Sequence, residues 1–105
     1  MVQGCGMDGD DELHFCWDDS KAASNLEKHG VSFEAATYVF DDRNRLEQED
    51  GFSEGEYRNL VIGRIGDVLL TVVYSCPEED LYRIISARPA TAHERKDYER
   101  NIFHP

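Results

Sequence analysis

Residues 57–75 read YRNLVIGRIGDVLLTVVYS. Tyr57–Ile65 and Val68–Ser75 are rich in β-branched residues and flank Gly66-Asp67, which predicts a hairpin with a tight turn. Pro77 to Asp80 supplies the next turn. Leu81–Ala87 is then a third strand, with Tyr82, Ile84 and Ser86 on one side and Leu81, Arg83 and Ile85 on the other. Past it, Thr91-Ala92-His93-Glu94 has the capping-box form, so a last helix is expected from about Ala92 to Asn101.

Working back from the hairpin, Asp41 to Gly55 is polar and acidic, with a short edge strand expected around Asn44–Glu49. Before it, Phe33, Ala36, Thr37 and Phe40 recur at i, i+3, i+4 and i+7, one helical face, with Ser32 as N-cap and Val31 as a staple on Ala36. Lys21 to His29 forms an earlier helix, capped by the Asp18-Asp19-Ser20 run and closed by Gly30. Leu13 to Trp17 is a candidate strand. The order β, α, α, β, β, β, β, α gives an α+β fold: an antiparallel β-sheet meander with two N-terminal helices and one C-terminal helix, the helices covering one face.

The chain has 105 residues, the size of one small domain. Residues 13–105 are expected to form it, and residues 1–12 (MVQGCGMDGDDE) to be a disordered acidic tail. No run of about 18 apolar residues exists to span a membrane, and residues 1–14 lack the basic start and apolar stretch of a secretory signal. Three cysteines without a Cys-x-x-Cys pair point to reduced thiols in a cytoplasmic protein. The four histidines show no metal-ligand spacing, and there is no Gly-rich phosphate loop, so neither metal nor cofactor is expected.

The net charge of −11 argues against nucleic acid until it is mapped. Residues 1–50 hold 13 acids against 4 bases; residues 51–105 hold 9 against 7; from Tyr82 onward 5 bases face 3 acids. A basic patch therefore survives on the last strand and helix. Arg83 and Arg88 offer planar forks that suit phosphate oxygens, or else pair with carboxylates at the sheet rim. On a regular strand they project to opposite faces, and a bulge or an early strand end would relax that. Glu56 and Arg58, with Glu54, place a carboxylate beside an arginine: a general base with a phosphorane-stabilising cation, or a charge-blunted edge strand. Lys28 and His29 complement the helix C-terminus, and His29 is also a residue type suited to acid–base work.

Several blocks, taken in order, resemble one family. Phe15-x-Trp17-Asp18, Lys21-Ala22-x-x-Asn25, Lys28-His29-Gly30-Val31-Ser32-Phe33-Glu34-x-Ala36 and Val39-Phe40-x-Asp42 resemble the N-terminal half of BrnT-type toxins. Glu54-Gly55-Glu56-x-Arg58, Ile62-Gly63 and Arg83-Ile84-Ile85-Ser86-Ala87-Arg88, with Glu94 and Tyr98, resemble the C-terminal half. Asp19 and Pro89 depart from the pattern, standing where many relatives carry proline and a basic residue.

The resemblance implies a RelE-like fold and a metal-independent ribonuclease toxin of a type II toxin–antitoxin pair that arrests translation. It implies a BrnA-type antitoxin partner in a dimer of heterodimers, an RNA substrate, and operator DNA reached only through the antitoxin. Carried onto this chain, Arg83 and Arg88 bind the scissile phosphate, Glu56 and Arg58 flank it, Glu56 or His29 is the base, and Lys28 adds positive charge. The acidity, with the two departures, keeps open an alternative: a catalytically weak or inactive antitoxin-binding module of the same fold.

Overall fold

The computed structural model describes residues 13–103; the expected acidic tail, residues 1–12, lies outside them. The chain runs β1 (His14–Cys16), α1 (Asp19–His29), α2 (Phe33–Ala36), a 3-10 turn (Thr37–Asp41), β2 (Leu46–Ser53), β3 (Glu56–Ile65), β4 (Val68–Glu78), β5 (Leu81–Pro89) and α3 (Ala92–Phe103). The five strands lie in the order β1-β5-β4-β3-β2. The α+β class and the antiparallel meander of β2 to β5 follow the expectation from sequence. The first strand adds something the sequence did not show. It pairs parallel to β5, His14 with Leu81 and Cys16 with Arg83, so the sheet is mixed. Between β1 at one edge and β2 at the other, the chain must cross the whole sheet, and α1, α2 and the 3-10 turn make that crossing.

Turn chemistry sets the hairpins. Glu54 and Gly55 both have positive φ, as a two-residue type I′ connection between β2 and β3 needs. Gly66 is in the left-handed region at the start of the β3–β4 turn, as read from Gly66-Asp67. With these short links, β2 extends to Ser53, past the short strand read around Asn44–Glu49.

The segment after Ser32 winds more tightly than expected. Ser32 caps it through a 3.0 Å bond from the Ala35 N–H to Oγ. The fully buried residues are Phe33, Ala36 and Val39, at a period of three, so α2 gives way after one turn to a 3-10 turn. Thr37, Tyr38, Val39 and Phe40 are weak α-helix formers, and packing decides their winding. Val39 lies flat on β3: a Cβ built on Gly63 would stand 2.8 Å from the Val39 Cβ and 3.0 Å from its carbonyl oxygen.

The helices cover both faces rather than one. Trp17, Phe33, Val39 and Phe40 pack on Val61, Val72 and Ile84 on one side of the sheet. Tyr98 of α3 packs on Ile62 and Leu69. Val61 and Ile62 are consecutive on one strand, as are Leu69 and Leu70, so the two clusters lie on opposite faces. The alternation is plain in the sequence. The sequence of α3 itself carries no mark of which sheet face it takes. Asn25 docks α1 to the sheet by donating to the carbonyls of Val31 (2.9 Å) and Ala87 (2.8 Å) and accepting from the Ala87 N–H (3.1 Å). It satisfies the edge of β5 at Ala87, four residues past the last pairing of β1 at Arg83.

Candidate active site

A one-residue bulge on β5 arranges the basic side chains. Val73 pairs with Ser86 and Tyr74 with Ile84, so Ile85 is the extra residue. Arg83 then stands opposite Ser75 and Arg88 opposite Thr71. Ser75 and Thr71 are four apart on a regular strand and share a face, so both arginines project to the side that carries α3. Glu56 and Arg58 share the parity of Ile62 on β3, which packs against α3, and belong to that face as well.

The two ends of this face differ. At one end Arg88 is locked. Its Nη1 and Nη2 donate to the two carboxylate oxygens of Glu94, each at 2.8 Å. Glu94 also accepts from the Thr71 hydroxyl (2.8 Å) and the Thr91 N–H (2.9 Å), closing the capping box that Thr91 Oγ1 completes by accepting from the Glu94 N–H. The Arg88 fork, opposed by burial and helped by the Thr91 and Thr71 bonds, holds the Glu94 carboxyl at about 2, and the Arg88 guanidinium is raised in turn by Glu94.

At the other end Arg83 is 44 % exposed and its Nη1 meets Glu56 Oε1 at 2.9 Å. The two residues line a cleft of about 310 Å³ with Cys16, Trp17, Asp18, Lys21, Ile84 and Ile85. That volume is at the small end of ligand sites, which run ~300–1,000 Å³. Trp17, one of the lining residues, is 7 % exposed and edge-on to Phe33 at 5.9 Å between ring centres. Asp18 caps α1 by accepting from the Ser20 (2.8 Å) and Lys21 (3.2 Å) N–H groups. Those bonds, Lys21 first, keep its carboxyl below the ordinary value. The cap fixes the first turn of α1 and thereby brings Lys21 to the cleft.

Arg58 donates from Nη2 to Glu54 Oε1 at 3.0 Å across the β2–β3 turn. Glu54 is 69 % exposed, so this is a solvated pair of small energetic weight. Among the described residues, buried side-chain polar atoms without a partner are Arg58 Nε, Ser75 Oγ and His14 Nδ1.

The structure thus brings together Glu56 and Arg83, with Arg58 beside them. Arg88 lies about 13 Å further along the face, four strand positions at ~3.3 Å each. Lys28 and His29 close the far end of α1, and neither lines the cleft. Lys28 is seven residues beyond Lys21, roughly 10 Å along the helix axis. Sequence reasoning passed over Lys21 and Ser75. Lys21 stood within the Lys21-Ala22-x-x-Asn25 block as the first residue of the helix expected there, with no chemical role assigned to it. Ser75 carried no signal at all. Among the described residues no group of three or more His, Cys, Asp or Glu side chains gathers as a metal-ligand set.

A family model described as "Ribonuclease toxin, BrnT, of type II toxin-antitoxin system" matches residues 17–94. The fold is similar to the crystal structure of the Brucella abortus ribonuclease toxin BrnT, with 23% sequence identity, 71% of this chain and 92% of that chain covered, and a TM-score of 0.52. No curated protein matches the sequence.

Proposed function

From its membership of the BrnT family of type II ribonuclease toxins, which the match over residues 17–94 establishes, we propose that this chain cleaves RNA without a metal in the Glu56–Arg83 cleft. The observation that carries the reading is the 2.9 Å Glu56–Arg83 pair, open to solvent on the Arg83 side and flanked by Lys21. In the proposed step, the Glu56 carboxylate takes the proton of a ribose 2′-hydroxyl. The 2′-oxygen attacks the adjacent phosphorus, and the Arg83 guanidinium takes the charge that grows on the non-bridging oxygens. The bond from phosphorus to the 5′-oxygen breaks, and Lys21 donates the proton that the leaving oxygen needs. The products are a 2′,3′-cyclic phosphate and a free 5′-hydroxyl. Arg58 adds positive charge from β3, two strands from Arg83.

Of the two candidate bases, Glu56 is favoured over His29 by its place in the cleft. Arg88 supports the reaction by holding β5 against α3, and Lys28 contributes only long-range charge. A basic BrnA-type antitoxin suits the acidic exterior, in a dimer of heterodimers that reaches operator DNA through the antitoxin, in the cytoplasm. No helix among the described residues is long and apolar enough to cross a membrane.

A second reading has its own support. Glu56 and Glu54 already occupy Arg83 and Arg58, which favours a weak enzyme serving mainly as an antitoxin-binding module. The test is purified protein with RNA in the presence of a chelator, beside Arg83→Ala. Cleavage with cyclic-phosphate ends, lost in the variant, is expected. Intact RNA, together with unchecked growth on induction and a stable antitoxin complex, would establish the second reading instead.

A further inference from the structure

Ser75 is 1 % exposed, yet its hydroxyl has no partner among the described residues. Arg58 Nε shares that condition although its Nη2 is paired. A buried polar atom left unpaired in a native fold calls for an explanation, and a function is one. These two are not scattered. Ser75 pairs across the β4–β5 ladder with Arg83, and one step beyond the Asn59–Tyr74 pair it comes level with Arg58 on β3. Arg58, Ser75 and Arg83 therefore stand abreast on three adjacent strands, all on the face that carries the cleft. With strands ~4.8 Å apart the row spans about 10 Å.

The row presents one kind of chemistry. Two guanidiniums flank a hydroxyl, all capable of donating, and the two carboxylates that engage them come from the β2–β3 turn region. Glu54 and Glu56 fill the positions that oxygens of an external anion would take. Both ion pairs have an exposed member, Glu54 in one and Arg83 in the other, so each is open to exchange. We infer that Arg58 Nε and the Ser75 hydroxyl form a phosphate subsite beside Arg83, which holds the scissile phosphate; the subsite takes the next backbone phosphate, which displaces the Glu54 carboxylate from Arg58. Ser75 is thereby a positioning residue for RNA. The inference rests on the ribonuclease reading for its ligand, not for its geometry.

Binding of a non-cleavable 2′-O-methyl oligonucleotide and of inorganic phosphate is measured on the intact chain, following the Arg58 and Arg83 Nε–H signals by NMR. The oligonucleotide should shift both signals. Ser75→Ala should weaken its binding about threefold to tenfold, the worth of one hydrogen bond, and Ser75→Thr should restore it. Glu54→Gln, which frees Arg58, should tighten it. In cleavage assays Ser75→Ala should raise KM with kcat little changed. Because it removes an unpaired hydroxyl, Ser75→Ala should also melt at or above the parent's temperature. Equal, Ser75-dependent binding of inorganic phosphate supports the subsite and assigns it to free phosphate. An unmoved Arg58 signal, or unchanged binding by Ser75→Ala, overturns the inference. So does a Ser75→Ala variant that melts lower but binds as the parent does, since Ser75 then serves the fold. Binding without cleavage would sink the ribonuclease reading and leave the subsite standing; cleavage with Ser75-independent binding would do the reverse.

Discussion

Arg83 and Arg88 are the same residue type on the same strand and, because of one bulge, on the same face. Their surroundings differ in every respect that matters for function. Arg88 lies where α3 returns to the sheet, and its fork is matched by both oxygens of Glu94. Arg83 lies where the face opens into a cleft, held by one contact to Glu56. A fully matched charge-assisted network stabilises and rigidifies. A singly held, exposed guanidinium is available to exchange one anion for another. What separates the locked arginine from the open one is the number of its partners and the helix packed beside it.

Exchanging the two side chains' fates is the strongest way to break this comparison. Arg83→Ala should lower RNA cleavage at least ~100-fold, the cost of removing one transition-state donor, with a melting curve close to the parent's. Loss of fold instead of activity would show that the open end is also structural. Arg88→Ala should do the opposite. It leaves the half-buried Glu94 carboxylate in the first turn of α3 without its guanidinium partner and should cost about 2–3 kcal/mol in denaturant unfolding, while cleavage per folded molecule stays within a few-fold. A collapse of cleavage in the folded variant would bring Arg88 back to the substrate.

The same contrast has a pH signature. Glu94 is held at about 2 against an ordinary value of 4.5. A carboxylate depressed in the folded state stabilises above its unfolded value, and that stability is lost as pH falls through the folded one. Unfolding free energy should therefore drop by on the order of 1–2 kcal/mol between pH 4.5 and pH 2, allowing for solvent screening. In Glu94→Gln that part of the slope should vanish; an unchanged slope would assign it to other carboxylates. The smallest effect is expected at the far end of α1. Lys28→Ala and His29→Ala should each leave cleavage within about twofold and stability within ~0.5 kcal/mol. A large loss of cleavage in His29→Ala would reinstate it as the base.

Much of this was legible in the chain. The β-branched runs around Gly66-Asp67 gave the hairpin, and the Thr91–Glu94 capping box marked the start of α3. Ser32 and Gly30 likewise capped as read. Local rules sufficed because each depends on residues within four positions of one another. The period-three winding of Phe33, Ala36 and Val39 was not legible, since it follows from contact with Gly63 on a distant strand. The parallel pairing of β1 was hidden for a similar reason, because three residues carry too little pattern to choose a neighbour.

The site divides along the same line. By itself the sequence determined the elements, their order, the family resemblance and a short roster of charged residues that included Glu56, Arg58 and Arg83. Only the tertiary structure decided which of them meet. The bulge at Ile85 turned Arg83 and Arg88 to one face, α3 claimed Arg88, and the Asp18 cap carried Lys21 rather than Lys28 to the cleft. Each is a long-range consequence of packing, and a side chain's chemistry depends on neighbours that the chain brings together only when it folds.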